Sequence, residues 1–205
     1  MITWYEHILH IIFPPTRDEE AFYERAIHGT LPPPRKSLYP WLTSCMSYKS
    51  PLVKRVIHII KKRQSSFLSR IFAKIIFTKL AHIHHDISEI IIIPIPLDSH
   101  RKRTRGYNQS AYIAEALSKY FDVPYCESIL SKSIHTQKQA LISDQYMRKE
   151  NVTHSFTAHY DDAISHDRPL CILDDVTTTG ATVYDARRAL LEAGYTHVYA
   201  LTLAH

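Results

Sequence analysis

The sequence predicts a doubly wound α/β domain with a mainly parallel sheet, preceded by an irregular, partly helical N-terminal extension. Three observations lead there. The run EIIIIPIP at 89–96 is short, rich in β-branched residues and bounded by prolines, the pattern of a strand buried on both faces of a parallel sheet. The run LCIL at 170–173 is a second short apolar segment of the same kind. A Thr-rich turn, a helical pattern and a third apolar run at 198–203 follow it at βαβ spacing, and parallel neighbours need such a crossover. A chain of 205 residues, 45% hydrophobic and 22% charged, has room for one such domain plus an appendage and is not disordered in composition.

Pro14-Pro15 and Pro32-Pro33-Pro34 break residues 1–48 into pieces that admit only short helices, for example over Asp18 to Ile27. This segment is expected to be an appendage, with the domain proper at 49–205. Pro51 suits the first turn of a helix that places Leu52, Val53, Val56, Ile57 and Ile60 on one face and Lys54, Arg55, His58, Lys61 and Lys62 on the other. A second helix over Phe67 to Leu80 is apolar around more of its circumference, which predicts deeper burial. After the first strand, Arg101 to Gln109 reads as a polar loop, and Ser110 to Tyr120 as a helix buried through Ile113, Ala114 and Leu117. A weaker strand surrounds Ser128 to Leu130, and Ser131 to Arg148 reads as a polar loop running into a helix. The last helix spans Thr182 to Ala193, with Gly194 as the left-handed residue beyond its end, and Val198 to Leu203 closes the sheet.

The segment LCILDDVTTTGAT at 170–182 carries the chemistry. Two carboxylates, Asp174 and Asp175, emerge where the strand ends, and Val176, Thr177, Thr178, Thr179, Gly180, Ala181 and Thr182 turn the chain into a helix. Open α/β sheets bind ligands at that edge. The turn's amides and the positive end of the helix dipole make an anion site without a lysine. Gly180 stands where the backbone must come close to a phosphate. Adjacent acids suit a sugar, because carboxylates accept hydrogen bonds from vicinal hydroxyls, whereas beside bare phosphate they need a cation. A nucleotide-binding P-loop is excluded, since no G-x-x-x-x-G-K occurs.

That segment resembles the phosphoribosyl pyrophosphate (PRPP) motif of type I phosphoribosyltransferases, and IPIPLDSHRKRTRGYNQSAYIAEAL resembles the stretch that distinguishes the ComF family of late-competence proteins. SPLVKRVIHIIKKR, TQKQALISDQYMRKENVTHSF and the AGY turn match that family in its order, so the resemblance spans roughly 48–204. It implies the type I phosphoribosyltransferase fold, a Mg²⁺-assisted PRPP or ribose 5-phosphate site with the ribose and metal at Asp174 and Asp175, and a role in DNA uptake with DNA-uptake proteins as partners. It also implies a pyrophosphate loop at Ile95, Pro96, Leu97 and Asp98. Arg101, Lys102, Arg103 and Arg105 follow at once, and guanidinium forks suit a diphosphate; Arg101 and Arg105 are the strongest candidates, while Lys102 and Arg103 are free to face water. Asn108, Gln109, Arg148 and Asn151 are further candidates. Family members commonly open with a four-cysteine zinc module; the three cysteines here, Cys45, Cys126 and Cys171, form no C-x-x-C pair, so no zinc finger is expected.

Charge adds a second partner class. Twelve of the 25 Lys and Arg, and none of the 20 Asp and Glu, fall between Arg25 and His85. Such asymmetry favours anions or a nucleic acid. The cations of the Pro51 helix are therefore candidates for tracking single-stranded DNA, with Tyr39, Trp41 and Tyr48 as stacking groups. The cluster His82 to Asp86 has ligand residue types but reads first as a polar loop. No apolar stretch is long enough to cross a bilayer, so no direct membrane insertion is expected and a cytoplasmic location is the default.

Overall fold

The computed structural model describes residues 14–37, 39–84, 86–132 and 155–205. In chain order they form helix α1 (Arg17–Ile27), strand β1 (Leu42–Met46), α2 (Pro51–Lys62), α3 (Ser66–Ile83), β2 (Ile91–Pro94), α4 (Ser99–Arg105), α5 (Gln109–Phe121), β3 (Leu130–Lys132), β4 (Phe156–Ala158), β5 (Leu170–Val176), α6 (Ala181–Glu192) and β6 (Val198–Ala204). The main sheet has the order β1-β6-β5-β2, every neighbouring pair is parallel, and β3 and β4 form a separate antiparallel ribbon. Tyr125 adds a parallel bridge to Ile92 on the outer side of β2.

Helices cover both faces. One apolar cluster joins Phe22 of α1, Val56 and Ile60 of α2, Phe72 and Ile76 of α3 and Leu117 of α5 to Cys171 and Leu173 of the sheet. The other joins Val183 and Leu190 of α6 and Phe156 of β4 to Ile91, Leu170 and Ile172. Alternate residues of β5 therefore enter opposite layers, as the two-residue period of a strand requires. This is the doubly wound arrangement that the apolar runs predicted, and the five α2 residues assigned to the inner face are all buried.

Four expectations need correction. Residues 42–46 lie inside the segment read as an appendage, yet they form the sheet's edge strand, so β6 is an inner strand and does not close the sheet. LTSCM has little of the β-branched pattern that marks a buried strand; pairing with β6 and the 2.7 Å hydrogen bond between Ser44 Oγ and Thr202 Oγ1 hold it in place. Helix α1 forms over the span expected and is docked: Thr16 and Glu19 form a capping box, and buried Glu19 accepts from Arg63 (2.6 Å) and Ser65 Oγ (2.6 Å) at the α2–α3 junction. The supposed polar loop from Arg101 to Gln109 contains α4, capped by Asp98, whose side chain accepts from the Arg101 amide at 2.8 Å, and ended by left-handed Gly106. Finally, β5 continues through Asp174, Asp175 and Val176, so the carboxylates sit on the strand and not beyond it.

A candidate ligand site at the carboxyl edge of the sheet

Because β2 and β5 are parallel neighbours, the loops leaving their carboxyl ends open side by side; the Ile95 amide still donates to Leu173 O at 2.9 Å as the β2 chain departs. From β5 come Asp174, Asp175 and the turn Thr177–Gly180. From β2 come Ile95, Pro96, Leu97 and Asp98, then α4. Asn108 ties the two parts of that second segment together, its Nδ2 donating to Ile95 O at 2.9 Å while its Oδ1 caps α5.

Strand alternation gives the two aspartates different surroundings. Asp175 follows Leu173 into the layer of α2 and α5 and is 5% exposed. Lys61 Nζ lies 2.9 Å from its Oδ1, and Gln109 Nε2 donates to its Oδ2 at 2.7 Å. Gln109 in turn accepts from Arg105 Nη1 at 2.9 Å, so a polar chain runs Arg105, Gln109, Asp175, Lys61. Asp174 is half-buried; its Oδ1 accepts the Asp175 amide at 2.8 Å. Burial, and then the charge of Asp175, push Asp174 up to about 7, against weaker opposing pulls from that amide, Lys61 and Lys132.

The turn between β5 and α6 is tied to the end of β6. Thr177 is buried and donates its amide to Ala204 O at 3.0 Å. His205 Nε2 lies 3.1 Å from Thr178 O. Gly180, at φ +83°, is the residue before α6, and a Cβ there would meet Tyr39 Cε2 at 3.1 Å. Among the described residues, the amides of Thr178, Thr179 and Gly180 have no protein acceptor, and they precede a helix of 12 residues.

The structure brings Asp174, Asp175, Arg105, Asn108, Gln109 and the Val176–Thr182 turn into one locality. Arg101 is held to Asp98 at 3.3 Å on an exposed face; Lys102 and Arg103 are exposed on the same helix. The Arg101 amide, and to a lesser degree Lys132 and Arg101, hold Asp98 below the usual carboxylate range. Arg148 and Asn151 lie outside the described residues, as does His85 of the histidine cluster. Sequence reasoning misses two cations. The helical period puts Lys61 on the solvent face of α2, and nothing in the sequence singles out Lys132, whose Nζ lies 3.9 Å from Asp98. Helical register gives the side of a helix but not the reach of a lysine at its end.

The same register misjudges other members of the basic stripe. Arg55 pairs with Asp18 at 3.0 Å and Arg63 with Glu19, leaving Lys54 and Lys62 as exposed cations with no carboxylate partner among the described residues, with His58 exposed beside them. Tyr39 stacks on Trp41 with centroids 4.9 Å apart, and the Arg187 guanidinium covers Trp41. Burial pushes the Cys45 and Cys171 thiols up to about 12, the behaviour of structural cysteines. No described helix is long and apolar enough to cross a membrane.

A doubly wound parallel sheet with an acidic pair at the end of one strand, a Thr-Gly turn leading into a helix, and a polar loop from the neighbouring strand is the arrangement that the resemblance to type I phosphoribosyltransferases implies. The chain is similar to proteins named for competence and DNA utilization. No family model matches it. It is 31% identical over 113 residues to Competence protein F of Haemophilus influenzae, a match covering 55% of this chain and 49% of that protein, so the chain spans about half of that relative's length. It is 27% identical over 160 residues to the DNA utilization protein YhgH of Escherichia coli (76% of this chain, 68% of the relative). It is 24% identical over 179 residues to Competence protein ComFC of Bacillus subtilis (87% and 66%). Among solved structures it is similar to an allosteric regulatory enzyme of purine biosynthesis (18% identity, TM-score 0.42, 65% of this chain and 25% of that one). A glutamine PRPP amidotransferase from B. subtilis is also similar (16%, TM-score 0.40, 72% and 26%).

Proposed function

We propose that this protein binds PRPP or ribose 5-phosphate at the carboxyl edge of the sheet and serves DNA uptake. One observation carries the ligand reading: β5 presents a carboxylate pair and a run of turn amides with no acceptor among the described residues, and the segment leaving the adjacent β2 opens beside them. In this reading the amides of Thr178, Thr179 and Gly180 and the α6 dipole take the 5′-phosphate. Asp174 meets the ribose hydroxyls, and the β2–α4 segment with Arg101 and Arg105 takes the diphosphate. The role in DNA uptake rests on the names of the relatives.

If the chain turns over, the reaction is displacement at the anomeric carbon: a nitrogen nucleophile forms the new C–N bond and loses a proton as the C–O bond to pyrophosphate breaks. Positive charge on the ribosyl carbon and negative charge on the leaving group then need stabilisation at opposite ends of one pocket, which the carboxylates and α4 cations supply. Mg²⁺ would neutralise the diphosphate when bound. Both oxygens of Asp175 are engaged, and no described group of three or more His, Cys, Asp or Glu is arranged to hold a metal. The residues thus fit a cation carried mainly by ligand oxygens, with Asp174 the more open of the two carboxylates.

PRPP with Mg²⁺ should raise the melting temperature, since a ligand selective for the native state stabilises it by mass action. Asp174→Asn combined with Asp175→Asn should remove that rise. An undiminished rise in the folded double variant would take the carboxylates out of the site.

A second reading, single-stranded DNA binding, is favoured by the exposed Lys54, His58 and Lys62 on α2 and by the relatives named for DNA utilization. It uses a different surface and is compatible with the first.

A further inference from the structure

We propose that Lys61 is the resident countercharge of the ligand site, a specificity-determining residue through which the pocket takes a phosphorylated sugar with no divalent cation on its carboxylates. The inference rests on the ribose-phosphate reading above and deepens it. Two adjacent carboxylates at the mouth of an anion site repel the ligand unless a cation stands with them. Lys61 supplies one at 2.9 Å from Asp175, with its side chain 26% exposed, and its charge also acts on Asp174.

That placement is anchored from several sides. The hydroxyl of Tyr107, in the segment that follows β2, donates to Ile60 O beside Lys61. Arg63 is tied to buried Glu19 at 2.6 Å. Ile60 is fully buried, so the last turn of α2 cannot rotate Lys61 outward without exposing it. The next residue, Lys62, is turned about 100° around the helix and is exposed. Gln109 takes the other oxygen of Asp175, so a metal at that carboxylate would have to compete with partners already on both oxygens. Lys61 thus lowers the net negative charge of the acidic pair, and the metal is needed only by ligands that bring a diphosphate.

Calorimetric titration of ribose 5-phosphate into the full chain, in EDTA and in Mg²⁺, tests this. Wild-type protein should bind in both buffers with similar affinity. Lys61→Met should lose at least about tenfold in EDTA and recover part of it in Mg²⁺, while Lys61→Arg, which keeps the charge, should bind in EDTA. Wild-type binding that needs Mg²⁺ overturns the proposal without any variant, and so covers the case in which Lys61→Met fails to fold. Equal affinity of folded Lys61→Met and wild type in EDTA also overturns it. Absence of wild-type binding in both buffers removes the ribose-phosphate reading itself, and the role of Lys61 with it.

Discussion

The acidic and basic ends of the site show how differently two dense runs of like charge are treated. Asp174 and Asp175 sit on a strand within the sheet and are taken out of water, so Asp175 draws partners from two other helices, Lys61 of α2 and Gln109 of α5. Arg101, Lys102 and Arg103 sit on α4, a short helix on the surface, and water suffices for most of their charge. Burying a charge is unfavourable unless it is paired and hydrogen-bonded, whereas an exposed one needs no partner. The acidic end is therefore part of the fold, and the basic end is an attachment to it.

The sharpest way to break this contrast is Asp175→Ala. It leaves Lys61 and Gln109 facing a void and should lower stability by about 3 kcal/mol, read by urea denaturation. Arg103→Ala in the same experiment should change it by less than about 0.5 kcal/mol. Similar losses in the two variants would erase the distinction.

Gly180→Val tests the backbone between the two ends. The left-handed φ of +83° costs a side-chain-bearing residue about 1–2 kcal/mol, and the new Cβ crowds Tyr39. Ribose 5-phosphate affinity should fall at least about tenfold, equivalent to roughly 1.4 kcal/mol. A folded variant with unchanged affinity would place the phosphate elsewhere.

Asp174 gives the contrast a pH signature. Its folded value of about 7 lies above its ordinary 3.8, so the native state holds a proton that the unfolded chain has released. The stability tied to that proton is complete below about pH 4 and is lost as pH rises through about 7. Asp174→Asn should flatten that part of the stability–pH curve; a variant that declines as steeply as wild type would show that Asp174 ionises normally.

The smallest effects belong to the surface. Lys54→Gln with Lys62→Gln should leave ribose 5-phosphate binding unchanged. If single-stranded DNA binds α2, the pair should lower the salt slope by about 0.7 for each phosphate that is no longer neutralised, measured by fluorescence anisotropy. An unaltered slope would move any DNA-binding surface off this helix.

The features legible in the sequence are local ones. The β-branched run before Pro96 and the apolar LCIL segment specify parallel-sheet strands, the buried stripe of α2 follows from its period, and DDVTTTG specifies a strand–turn–helix junction with acids and a glycine. Each is a property of neighbouring residues. That LTSCM becomes a strand is settled by packing, because its pairing partner β6 lies more than 150 residues away. The same holds for the unequal aspartates. Period two sends them to opposite layers, but which layer brings Lys61 and Gln109 to Asp175, and leaves Asp174 the more open, depends on how α2 and α5 pack on the sheet. A lysine at a helix end reads as solvated until a buried carboxylate comes within its reach, and that meeting is a fact of packing.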